Sequence, residues 1–223
     1  MKKKLIIIGT GETANLAFEY FTLDSDYEVV AFAVNREYHH ENTFRNCPVV
    51  DFEDVEKLFP STDFEAFVAM GSGELNYART RMYQQTKNKG YRLASYVSSR
   101  AFVWHNVKIG ENCFILEGNT LQPFTSVGNN VVMWSGNHLG HQSVIRDNCF
   151  ITSHVVISGY CEIGHNTFIG VNASIADNVK IAPNNFITMG CAINKNTKEN
   201  SIYKGNPAAV AAISAKYFCN VKE

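Results

Sequence analysis

An aliphatic side chain returns at every sixth position from Val103 to Ile193: Val103, Ile109, Ile115, Leu121, Val127, Met133, Leu139, Ile145, Ile151, Ile157, Ile163, Ile169, Ile175, Ile181, Ile187 and Ile193. The run is unbroken over sixteen positions. With about a quarter of residues qualifying by average usage, chance does not produce it. An α-helix, at about 3.6 residues per turn, cannot keep that period on one side. A coil of short strands can, and a six-residue repeat is the signature of a parallel β-helix. Two further columns agree. The position two before the anchor is mostly small, as at Cys113, Thr125, Ser143, Cys149, Cys161, Thr167, Ala173 and Cys191. The position three after it is often Asn, as at Asn112, Asn130, Asn148, Asn166, Asn178, Asn184 and Asn196, where a turn needs backbone angles that Asn tolerates.

Residues 4 to about 97 follow another rule. Lys4 to Ile8 is a continuous apolar run of the kind found in buried parallel strands. It leads through Gly9-Thr10-Gly11 into the helical stretch Ala14 to Phe21. Tyr27–Val34 and Phe64–Met70 read as further strands, a polar helix follows Gly71-Ser72-Gly73 to about Lys89, and Tyr91–Val97 closes the series. Strands alternating with helices predict a small parallel α/β, Rossmann-like domain over 1–97, followed by an all-β domain over 98–223.

A net charge of −1 gives no electrostatic case for a nucleic-acid or membrane partner. The apolar run after the basic start is only four residues long before Gly9, too short for a signal core or a span, so a cytoplasmic protein is expected. The six cysteines form no C-x-x-C pair and no zinc spacing. Four of them occupy the small column, as compact hydrophobes inside the coil.

The whole pattern resembles the bacterial nucleotide-sugar acetyltransferases, which join a Rossmann-like domain to a left-handed β-helix and include amino-sugar N-acetyltransferases and relatives described as sialic acid O-acetyltransferases. The resemblance rests on the strand–glycine turn, Ala69-Met70-Gly71, Gly140-His141-Gln142-Ser143-Val144-Ile145, Ile169-Gly170-Val171-Asn172-Ala173 and Tyr203-Lys204-Gly205-Asn206-Pro207-Ala208. It implies triangular coils of three hexads, about five of them in a stack roughly 25 Å tall, and a homotrimer. It also implies acetyl-CoA as co-substrate, with no metal. Gly159, Val171 and Met189 then neighbour the pantetheine arm, and the tail with Lys204 and Pro207 lies near the adenine. A second family histidine near the thioester maps to Phe150, which cannot donate to an oxyanion, so backbone N–H groups around Gly159 are expected to serve.

Amide formation from a thioester needs a base for the attacking amine, and histidine suits that role near neutral pH. The resemblance places the base at His141, followed by Gln142 where family members carry a Glu that orients it. The competing reading of His141 is a surface imidazole on a coil edge. His138 competes for the role, or contacts the substrate or steers the ring. His39 and His40 read as solvated loop residues. In the first domain, Gly9, Thr10 and Gly11 offer backbone N–H groups to a diphosphate at a helix N-terminus. A dinucleotide site would want an acidic residue after the second strand; Asn35-Arg36 stands there and suits an anionic sugar nucleotide. Ser72 and Arg79 follow the third strand, Arg79 as a second cation or as a solvated helix position, and Trp134 and Asn137 are candidates for shaping the sugar pocket.

The expected function is therefore acetyl-CoA-dependent N-acetylation of a UDP- or dTDP-linked amino sugar in bacterial glycan biosynthesis, by direct transfer. Sugar or sialic acid O-acetylation uses the same machinery. Two other readings are a non-catalytic sugar-nucleotide sensor and a zinc carbonic anhydrase-like β-helix. The last is opposed by the separation of His105 and His141, two coils or roughly 10 Å apart at strand spacing.

Overall fold

The computed structural model describes residues 2–205, 212–214 and 218–219. The N-terminal unit is a small α/β domain with strands β1 (Lys3–Ile8), β2 (Tyr27–Val34), β3 (Thr43–Phe44), β4 (Cys47–Asp51) and β5 (Glu65–Val68), and helices α1 (Glu12–Leu23), α2 (Val55–Leu58) and α3 (Tyr77–Asn88). The sheet order is β3-β4-β2-β1-β5, parallel throughout except for the β3–β4 pair. Leu5 to Ile8 are at most 1% exposed, as a strand covered on both faces requires. Leu5 and Ile7 pack toward α1 and the β-helix, with Phe21, Phe67, Tyr96 and Phe114; Ile6 and Ile8 pack on the other side with Phe52, Val55 and Tyr91.

Two elements depart from the sequence expectation. The β3–β4 hairpin turns through Arg45 and Asn46, both left-handed, without the Gly that usually marks such a turn. The expected strand 91–97 divides: Leu93 makes one bridge to Ala66, and then Tyr96–Val97 pairs with Phe114–Ile115 as the first strand of the β-helix. The β-helix thus starts just before the expected boundary.

From Tyr96 on, two-residue strands fall into three parallel sheets wound in sequence. Face one runs from Phe102–Val103 through His138–Leu139 to Ala192–Ile193, face two from Lys108–Ile109 to Lys180–Ile181, and face three from Tyr96–Val97 to Ile202–Tyr203. Each anchor pairs with the one eighteen residues on, as Leu121 with Leu139 and Leu139 with Ile157. All the anchors from Ile115 to Ile193 are buried in a single axial core. The small column lies there too, and three buried thiols donate to carbonyls fifteen residues on, Cys113 to Gly128, Cys149 to Gly164 and Cys161 to Ala176, while Cys191, in the short last coil, donates to Tyr203.

Every sixth residue from Asn112 to Gly190 has a positive φ. Most of these are Asn or Gly; the others are Phe124, Gln142, His154 and Tyr160. The last coil is short, with Ile187 pairing with Tyr203 rather than with a residue eighteen on. At that end Lys180 N–H donates to Asn196 Oδ1 and Ala182 N–H to Thr197 Oγ1.

The α/β domain sits on face three. Outward-facing Phe114, Val132 and Phe150 share its core, and below them Phe150, Phe168 and Phe186 stack in turn, at 5.8 and 4.6 Å between centroids. Polar ties lock the joint. Asn112 exchanges hydrogen bonds with the Val68 backbone, and Asn112, Asn130 and Asn148 form an amide ladder along the corner between faces two and three.

Candidate active site

At the carboxyl ends of β1, β2 and β5 a cleft of about 470 Å³ is lined by Gly9, Thr10, Gly11, Thr13, Asn35, Tyr38, Met70 and Gly71 among others. Gly9 has φ +120, and a Cβ there would stand 2.8 Å from the Ala69 carbonyl oxygen, so this turn requires glycine. Gly11 is the N-cap of α1, with no side-chain cap and nothing within 4 Å of a would-be Cβ. The free N–H groups of α1 therefore open onto this space, an arrangement suited to phosphate. Tyr38 and Met82 complete the lining without having been marked in the sequence.

The cations expected here are placed otherwise. Arg36 is exposed and its guanidinium bonds to Asp51 (2.7 Å) and Asp54 (2.8 Å), while its backbone N–H donates to Glu53. His39 is half-buried against Asp51 at 2.5 Å rather than solvated. Arg79 is wholly buried and serves the joint instead of a ligand. Its Nη atoms donate to the carbonyls of Gly71, Asn130, Asn148 and Cys149, and it lies over the Phe150 ring at 5.5 Å. Burial lowers its pKa to about 10. Ser72 is half-buried in the turn ahead of α3, where its carbonyl accepts from Asn76 N–H.

On the β-helix, His141 stands exposed at the corner between faces one and two. Its backbone N–H donates to Gln122 Oε1 at 2.9 Å and its Nδ1 lies 3.4 Å from the same oxygen. A Cβ on Gly159, one coil on, would meet the imidazole Cε1 at 2.7 Å, so the ring occupies the space that glycine leaves. Tyr160 meets the ring edge-on at 5.1 Å. Gln142, the residue expected to orient the base, instead takes a left-handed turn conformation and donates its N–H to Pro123. Gln122 holds the ring in its stead. The two residues stand nineteen apart on adjacent coils, and the spacing alone does not say which way the two corner side chains point. His138 points outward on face one, half-buried between Thr120 and Val156 in neighbouring strands.

Four expectations for this half need correcting. Gly159 N–H donates to Asp177 Oδ1 at 2.8 Å and is already used, so it offers nothing to an oxyanion. Phe150 is 7% exposed and packed beneath Arg79 in the joint, so its ring faces the α/β domain rather than an open groove. Asn137 is buried with its amide donating to Trp134 O and accepting from Val155 N–H, a coil-building role. Trp134 packs against the core shared by the two domains and does not line the cleft. Val171 and Met189 do lie exposed on successive coils of the corner between faces three and one, and Lys204 is exposed. Pro207 lies outside the described residues. Among the described residues no cluster of His, Cys, Asp and Glu is placed to hold a metal ion.

The combination of an α/β domain on a three-sided β-helix recurs in solved structures. Perosamine N-acetyltransferase from Caulobacter crescentus, as a histidine variant in complex with CoA and GDP-perosamine, is 19% identical with a TM-score of 0.80, covering 89% of this chain and 92% of that one. The acetyltransferase domain of PglB from Neisseria gonorrhoeae is 20% identical with a TM-score of 0.82, covering 93% and 99%. WeeI from Acinetobacter baumannii is 18% identical with a TM-score of 0.60, covering 94% and 100%. This chain shares its fold with these three structures. No family model matches the chain, and no curated protein matches it in sequence.

Proposed function

We propose that this chain transfers an acetyl group from acetyl-CoA to the amine of a nucleotide-linked sugar, with His141 as general base. The carrying observation is the pairing of two features on one chain: a glycine-turn cleft opening onto the bare N-terminus of α1, and an exposed imidazole held by Gln122 over Gly159. Similar folds bind CoA together with GDP-perosamine, which supports both the donor and the acceptor class. In this reading the N-terminal unit is a Rossmann-like sugar-nucleotide domain, and the β-helix winds left-handed and carries the transfer. UDP and dTDP are the nucleotides proposed.

The amine nitrogen attacks the thioester carbonyl carbon and forms the C–N bond. His141 takes the amine proton, the C–S bond breaks, and the proton passes to the departing thiolate. No acyl-enzyme is needed, and the interior thiols are unsuited to forming one: burial pushes Cys113 and Cys149 up to about 12.

The same reading requires a second copy of the chain. The α/β domain packs on face three, whereas His141 projects from the corner between faces one and two, on the opposite side of the coil. A cytoplasmic homotrimer brings the cleft of one protomer to the His141 corner of the next, with acetyl-CoA in the groove between them near Val171 and Met189.

The test is turnover of acetyl-CoA with a panel of UDP-, dTDP- and GDP-amino sugars, read as free thiol. Wild type is expected to turn over at least one member, and His141→Ala to lower kcat by about 10²- to 10⁴-fold with KM little changed. Thiol release that survives in His141→Ala while His138→Ala abolishes it would assign the base to His138.

A further inference from the structure

We propose that Gln122 is the positioning residue that fixes the His141 imidazole as its Nδ1–H tautomer, leaving Nε2 as the proton acceptor; the inference rests on His141 being the base.

The geometry determines which amide atom faces His141. A backbone N–H can only donate, so the Gln122 atom 2.9 Å from His141 N is the carbonyl oxygen. That oxygen is an acceptor, and it stands 3.4 Å from Nδ1. The contact is attractive only when Nδ1 carries the proton, and a neutral ring with Nδ1–H has its lone pair on Nε2. Among the described residues Nε2 has no hydrogen-bond partner, so that lone pair is available to an incoming amine. The remaining freedom of the ring is restricted from the adjacent coil, where Gly159 leaves room for it and Tyr160 meets its edge. Tyr160 holds a left-handed backbone, φ +56, in a column otherwise mostly Asn and Gly, which is a local cost retained beside this ring.

The choice of an amide has a chemical consequence. A carboxylate in the same place would orient the ring equally well but would also stabilise the imidazolium, holding the base protonated to higher pH. Gln122 orients without adding charge.

The test uses the full chain with labelled histidine. Nitrogen chemical shifts report which ring nitrogen is protonated, and the His141 signal is the one lost in His141→Ala. Wild type is expected to show Nδ1–H. Gln122→Leu is expected to shift the ring toward Nε2–H and to lower kcat by about 10- to 100-fold, as a misplaced catalytic group does. Gln122→Glu is expected to move the acid limb of the kcat profile up by about one pH unit. An Nε2–H ring in the wild type, or a tautomer unchanged in Gln122→Leu, overturns the proposal whatever the kinetics. Undiminished turnover in His141→Ala would instead remove the base assignment, while the chemical shifts still judge the Gln122 contact.

Discussion

The His141 imidazole and Gly159 compete for one volume: a methyl group on Gly159 would stand 2.7 Å from Cε1 and 3.0 Å from Nε2. Gly159 has no positive φ, so its backbone accepts alanine without strain. The histidine ring, a movable side chain, is then what gives way. Gly159→Ala is expected to fold and melt like the wild type while kcat falls about 100-fold, the scale set by a misplaced catalytic group. Thermal melts alongside steady-state kinetics check both halves.

The two glycines of the cleft turn should respond oppositely. Gly11 is extended at φ −80 with open space around its would-be Cβ. Gly11→Val is therefore expected to leave stability intact and to raise KM for the sugar nucleotide about tenfold or more, with KM for acetyl-CoA unchanged. Gly9→Ala meets the Ala69 carbonyl from a left-handed backbone and is expected to lower the melting temperature instead.

Arg79 joins α3, the end of β5 and the asparagine corner through four backbone carbonyls. Removing it leaves buried acceptors unmet. Arg79→Ala is expected to cost about 3 kcal/mol or more in denaturant unfolding. Lysine, with one compact head in place of a planar fork, is expected to recover little of that loss.

Asp24 caps the end of α1 against the first coil, accepting from Ser99 N–H at 3.0 Å and Tyr96 O–H at 2.7 Å. Hydrogen bonds from Ser99 first and Tyr96 next hold its carboxyl at about 2, below the ordinary 3.8. A depressed folded-state value means stability that is present above the unfolded value and lost as pH falls toward the folded one. Wild type is thus expected to be more stable than Asp24→Asn at neutral pH, with the gap closing between about pH 4 and pH 2. Urea midpoints measured across that range give the comparison.

The β-helix was legible because its period is enforced by an axial core that admits one aliphatic residue per strand, as the burial of Ile115 through Ile193 shows. His141 was legible as a corner residue only through the family motif. Its partner Gln122 was not, because contact across coils depends on where two neighbouring corner side chains point. Arg79 was misjudged for a related reason. Its helix is polar and reads as solvated, yet it lies against the asparagine corner, and a long cation there satisfies carbonyls that no local pattern reveals. Phe150 sits in the strand position that faces outward, and only the docking of the α/β domain on face three turns that outward position into an interior one.

The shortened last coil bears on what this chain avoids becoming. A parallel β-helix ends in rows of unpaired strand groups, and a second molecule adding its own coil there would propagate without limit. Here the N–H groups of Lys180 and Ala182, which would recruit the next rung of face two, are taken by the side chains of Asn196 and Thr197. Side-chain oxygens stand in for a missing strand, so the terminal edge of that face is chemically closed, and growth into end-to-end fibrils finds no template there.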